Sequence, residues 1–226
     1  MNSGHSSKHS SDAARVGSFR SQSGRIILAG FATLAALGVI AWSHPEPLLR
    51  AAIDLWSVSD AVGPADAVAV FGGGYKTRPI AAADYYRKGL VKKILIAGVR
   101  PEEVHSEIKY NHDELIDQGV PETAIEVFGR DLTSTIEEVT ALRDWAVRNR
   151  IRRLIVPTEY FASRRVHWAV SRMFTGTGIQ VMIPALDYPK IDGYPKINRN
   201  EWWKNDQAVE TFKTEILKYI YYRLRY

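Results

Sequence analysis

From Asp66 onward, short runs rich in Val, Ile and Leu alternate with longer segments whose apolar residues recur every three or four positions. The first kind reads as buried strand and the second as amphipathic helix. Strands are expected over 66–71, 93–97, 125–128, 153–157 and 179–183. Helices are expected over 80–88, 104–118, 133–150 and 160–174. A last helix over 208–225 carries Phe212, Ile216, Leu217, Ile220 and Tyr221 and is expected to pack back on the sheet. Gly89, Gly119 with Pro121, and Gly176 stand where helices should stop. Strand–helix–strand repetition predicts an α/β domain: a mostly parallel five-stranded sheet covered on both faces, hence three layers.

Upstream the pattern changes. Residues 26–42, Ile26 to Trp42, run for 17 positions without a charge and without an amphipathic period. That is the short end of a bilayer span. Arg25 can snorkel at one end and Trp42 can sit at the other interface. Residues 1–25 are rich in Ser, Gly and His and hold four Lys and Arg against one Asp, a net of +3. Basic residues ahead of the run place the tail in the cytoplasm and the domain outside it. A cleaved signal peptide is the rival reading, although Trp42 stands where small residues should mark the cleavage site. The expected organisation is a disordered basic tail over 1–25, a single transmembrane anchor over 26–42, a linker over 43–64 and one α/β domain over 65–226. Pro45 and Pro47 break the span, and Leu48, Leu49, Ile53, Leu55 and Trp56 suit a short amphipathic turn on the membrane or on the domain.

Charge and composition narrow the function. The chain of 226 residues carries +5 overall, so only +2 remains after the tail and run. The domain is nearly neutral, which argues against nucleic acid as a partner. The absence of cysteine excludes disulfides, thiol nucleophiles and zinc–thiolate or iron–sulfur sites. His105 and His112 lie seven apart on one expected helix, but no third ligand accompanies them, so no metal site is assigned. There is no Gly-x-Ser-x-Gly.

In a parallel α/β sheet ligands bind beyond the carboxyl ends of the strands. The first such loop reads Gly72-Gly73-Gly74-Tyr75-Lys76-Thr77-Arg78. Its glycines allow a tight turn with amides free to meet an anion. Thr77 stands where a dinucleotide motif needs its third glycine, and no Gly-Lys-Ser/Thr is present. The later loops bring Arg100, Arg130, Arg164 and Arg165 to the same rim. Arginine forks suit phosphate or carboxylate, so an anion-binding cleft is expected. Acids share the rim: Glu107, Asp131, Glu137, Glu138 and Glu159. Each can serve as a general base or pair with an arginine, and Ser134 with Glu137 also has the spacing of a helix cap.

Taken together, Gly72-Gly73-Gly74 followed by Arg78, the run Gly89 to Gly98, Ser106-Glu107, Gly119-Val120-Pro121, Ser134-Thr135-x-Glu137 and Val156-Pro-Thr-x-Tyr-x-x-x-Arg164 resemble the ElyC/SanA/YdcF family of bacterial proteins. The resemblance spans about residues 66–183. It implies a Rossmann-like domain, often behind one N-terminal anchor, with a role in cell-envelope, peptidoglycan or lipid-carrier metabolism. It implies Gly73, Gly74, Arg78, Thr135 and Arg164 as ligand-binding residues, to which Arg100 is added from the rim. Glu107 and Glu137 become the proton-moving candidates. Ser134 and Glu138 stand at the family's two Asn positions, and Pro157 and Phe161 at its Thr and His positions. His167 lies nearly two helical turns away. The expected protein sits in the bacterial inner membrane, its domain extracytoplasmic, and handles a small phosphorylated envelope metabolite. Alternatives are a non-catalytic sensing or scaffold module, or an S-adenosylmethionine or nucleotide site. The cofactor is open.

Overall fold

A computed structural model describes residues 30, 31, 33, 38, 43–74, 77–100, 106–187 and 197–226. The tail over 1–25, most of the run over 26–42, and His105 lie outside them. Among the described residues no helix is long and apolar enough to cross a membrane. Contacts divide the chain into two units, Met1–Leu49 and Arg50–Tyr226. In the first, Gly30, Phe31, Thr33, Gly38 and Ser43 are helical.

The second unit is the α/β domain. Its five-stranded sheet consists of β1 (Ala67–Val70), β2 (Ile94–Val99), β3 (Ile125–Leu132), β4 (Arg153–Ile155) and, after a two-residue strand β5 (Thr158–Glu159), β6 (Gln180–Met182). The order is β3-β2-β1-β4-β6, and every pairing is parallel. Alternating side chains divide the strands between two cores. Ala67, Ala69, Leu95, Ala97 and Leu154 face one core, and Val68, Val70, Ile94, Ile96 and Ile155 the other. The second core is closed by α2 (Arg78–Arg87) and α3 (Glu107–Asp117) through Ala82, Ala83 and Leu115. The first is closed by α4 (Thr135–Arg148), α5 (Ser163–Met173) and α6 (Asp206–Arg225) through Leu142, Val166 and Tyr222. Burial on both faces explains why β1 and β2 read as continuous apolar runs.

The chain leaves β1 toward β2 on one side and returns beside β1 as β4 on the other. The strand order therefore reverses between β1 and β4, the place where such sheets open a crevice. Beyond β4, β5 pairs in parallel with β7 (Ala185–Leu186) and carries Glu159 to the rim of that crevice.

The stretch expected as a linker differs. The helix α1 (Glu46–Trp56) ends inside the domain unit, where Ile53 is buried and the Trp56 indole donates to the Phe161 carbonyl at 2.6 Å. Beyond it, Val58 N donates to Ser163 Oγ and Ile183 N to Asp60 Oδ2. Residues 50–64 are part of the domain.

Candidate functional site

A cleft of about 700 Å³ opens at the crevice between β1 and β4. Its floor is the turn after β1. Gly73 sits at φ 84°, a conformation that favours glycine, and a Cβ on Gly74 would fall onto the Arg78 and Glu159 side chains. Two amides of this turn are held by carboxylates from other elements. Gly72 N donates to Glu138 Oε1 at 2.6 Å, and Gly73 N donates to Glu107 Oε1.

Two buried ion pairs make the walls. Arg78 opens α2 and bonds Glu159 Oε2 through Nε at 3.2 Å and Nη2 at 2.6 Å; its Nη1 donates to the Gly72 carbonyl. Thr77 Oγ1 donates to the other oxygen of Glu159. Burial works against the Glu159 charge, yet Arg78 and Thr77 outweigh it and hold that carboxyl below its usual range. Opposite, Arg165 of α5 grips Glu215 of α6 with Nε at 2.6 Å and Nη2 at 3.1 Å. The same guanidinium donates to Thr135 Oγ1 at 2.6 Å and stacks over the Tyr222 ring. Removing Arg78 would strip buried Glu159 of its cation, whereas loss of Arg165 would leave Glu215 with Lys218 at 3.3 Å.

Glu138 behaves differently. It is 5% exposed and has no cation in direct contact among the described bonds. Burial is the dominant influence and pushes its carboxyl up to about 7, against the opposing pull of the Gly72 amide, Arg78 and Arg165. It therefore exchanges a proton near neutral pH. Among the described residues the lining holds Arg78, Arg100, Arg165 and Lys218 against Glu107, Glu138, Glu159 and Glu215. Those charges balance when Glu138 is ionised. Protonating it leaves this set at +1.

The residues expected from sequence divide accordingly. Gly73, Gly74, Arg78, Arg100, Glu107 and Thr135 all line the cleft. Arg164 and Glu137 are not among its lining residues. Arg164 turns the other way, donating to the carbonyls of Trp56 at 2.9 Å and of Leu55, with its guanidinium over the Trp56 ring. It fastens α1. Glu137 is exposed and accepts from Thr133 N at 2.6 Å and Thr133 Oγ1 at 2.8 Å, while Ser134 Oγ accepts from Glu137 N. The Thr133 amide and hydroxyl hold its carboxyl below the usual range, so it stays ionised as the cap of α4. Arg165 and Glu138 enter the site as buried side chains, not as the loop rim groups expected of them, and Glu215 stands outside the expected set. The signal for the first two was helical phase. Glu138 shares a row with Leu142 and Trp145, and Arg165 with Ala169, so both side chains enter the buried side of their helices.

Phe161 is fully buried and packs against Tyr160, Trp202 and Phe212 while its edge reaches the cleft. His167 lies near Ser171 and Asp60, outside the cleft lining, and His112 pairs with Glu122 on the surface. Among the described residues no group of three His, Asp or Glu is placed to hold a metal ion.

No family model matches the chain, and no curated protein matches it.

Proposed function

We propose that this chain is a membrane-anchored cell-envelope protein whose α/β domain binds a small phosphorylated envelope or lipid-carrier metabolite and moves a proton on it through Glu138. The observation that carries the reading is the Glu138 carboxyl, buried beside the glycine turn and pushed up to about 7. A proton carrier is most effective when its pKa lies near the working pH. Its position supports the assignment, because the crevice between β1 and β4 is where doubly wound sheets take ligands. Arg100 at the exposed rim supplies charge for the phosphate, and the Thr135 hydroxyl, whose oxygen accepts from Arg165, supplies a proton donor. The resemblance to the ElyC/SanA/YdcF family supports the envelope setting. The apolar run over 26–42 behind a basic tail supports the anchor in the inner membrane and an extracytoplasmic domain.

The test is ligand capture by the full chain in detergent. Native mass spectrometry would be run against short-chain isoprenyl phosphates, nucleotide sugars, muropeptides and S-adenosylmethionine. A phosphorylated compound retained by the native chain and lost in Arg100→Ala supports the reading. Retention of S-adenosylmethionine alone, or of nothing, overturns it. One observation favours a sensing role without turnover: Phe161, where the family has a histidine, is a core aromatic residue. Capture with no product after prolonged incubation would decide for sensing.

A further inference from the structure

The last two turns of α6 carry an apolar stripe that stands exposed among the described residues. Leu217, Ile220, Tyr221 and Leu224 follow the i, i+3, i+4, i+7 spacing of one helix face and are 68%, 48%, 55% and 84% exposed. The opposite face of the same helix buries Ala208, Phe212, Glu215 and Tyr222. α6 is thus amphipathic on its inner side and apolar again on its outer side near the C-terminal end. Exposed apolar residues grouped in this way mark an interaction surface.

Charge selects the partner. Residues 217–226 include no acidic residue; Lys218 turns to Glu215 and Arg223 packs over Trp168 and Tyr219, which leaves Arg225 beside the stripe. Tyr221 sits within the stripe, the ring type that settles at headgroup depth. Apolar side chains, a tyrosine and a flanking cation on one helix are the composition of an interfacial helix. Reach is also sufficient. Trp56, at the end of α1, meets α6 edge-on through Tyr219 at 5.5 Å. Only Ser43, His44 and Pro45 separate the apolar run from Glu46, where α1 starts. Four chain steps and one helix of that length extend at most about 30 Å.

We infer that the outer face of α6 docks on the surface of a bilayer rich in anionic headgroups, seating Leu217, Ile220, Tyr221 and Leu224 at the acyl boundary. The inference rests on the reading of residues 26–42 as an anchor in that same bilayer. Docking would hold the domain in one orientation against the membrane, with the cleft beside lipid-borne substrates.

The absence of cysteine allows a single labelled thiol to be placed at will. Leu224→Cys and, as control, Lys109→Cys on α3 at the opposite face of the sheet would be labelled with an environment-sensitive fluorophore. The full chain would be reconstituted in vesicles of phosphatidylglycerol and phosphatidylethanolamine containing brominated acyl chains. The expected result is a blue shift and lipid quenching at position 224, neither at 109, and loss of both when Leu217→Glu is added. Circular dichroism of each variant confirms the fold. Absence of quenching at 224 while the chain stays with the vesicles through alkaline washing overturns the docking and leaves the anchor standing. Quenching at 224 in a chain that alkaline washing strips off overturns the anchor and leaves the docking. Protection of 224 that requires no lipid and grows with protein concentration overturns the inference in favour of a second copy of the chain.

Discussion

Glu138 holds the amide of Gly72 at 2.6 Å from within the buried row of α4, so a carboxyl pushed up to about 7 is fastened to the glycine turn that floors the cleft. The turn's shape and the proton state of the site are therefore linked. An amide donates to a carboxylate more strongly than to a neutral carboxyl. Protonation slackens that bond and leaves the amide more available to an incoming anion.

Stability should record this carboxyl. Its folded value lies above its unfolded value, so the folded state holds the proton more tightly. The resulting stability is fully present below about pH 4.5 and is lost as pH rises through 7. A shift of that size corresponds to about 3 kcal/mol. Glu138→Gln keeps an acceptor for the Gly72 amide and removes the ionisation. Thermal melts should show little change near pH 4 and a raised Tm near pH 8. Equal effects at both values would mean that the carboxyl ionises as an ordinary glutamate.

Adjacent arginines should separate cleanly. Arg165→Ala leaves buried Glu215 with only the half-exposed Lys218 at 3.3 Å and should cost about 3 kcal/mol in denaturant unfolding. Replacing both, Arg165→Met with Glu215→Leu, should recover most of that loss. Arg164→Ala should cost about 1–3 kcal/mol, because it removes the charged donor to the Leu55 and Trp56 carbonyls. Its effect should appear as faster amide exchange in α1, with ligand capture unchanged. Loss of capture in Arg164→Ala would return that residue to the site.

That pair also marks how far the sequence could be read. β1 and β2 were legible because burial on both faces writes an unbroken apolar run, whereas β3, β4 and β6 showed through shorter apolar runs. The helices were legible from their three- and four-residue periods. β5 and β7 were not, since two residues carry no period. Residues 57–64 looked like linker because hydrogen bonds hold them to the domain, Val58 N to Ser163 Oγ and Ile183 N to Asp60, and such bonds leave no hydrophobic pattern. In the site, glycine spacing led to Gly73 and Gly74. The choice between Arg164 and Arg165, or between Glu137 and Glu138, is a choice of helix phase by 100°, and loop-based reading does not make it.

The glycine turn should tolerate little. Gly73→Ala forces a Cβ into φ 84° and should cost about 1–2 kcal/mol. Gly74→Ala adds a clash with the Arg78–Glu159 pair and should cost more, with ligand capture lost in whatever protein remains folded. Chemical denaturation of the two variants side by side checks the order. Equal stability of Gly74→Ala and the native chain would show that the pair does not define the cleft wall.

Anion binding should strengthen as pH falls through 7, since each proton taken by Glu138 removes one negative charge from the lining. By reciprocity a bound anion should raise the Glu138 value further. The direct measurement is carbon-13 NMR of glutamate side-chain carboxyls, assigned by comparison with Glu138→Gln. The account predicts one resonance, missing in the variant, that titrates near 7 in the free protein and moves upward on addition of a short-chain isoprenyl phosphate. A Glu138 resonance that titrates in the ordinary carboxylate range, or that stays in place when the phosphate is added, would contradict it.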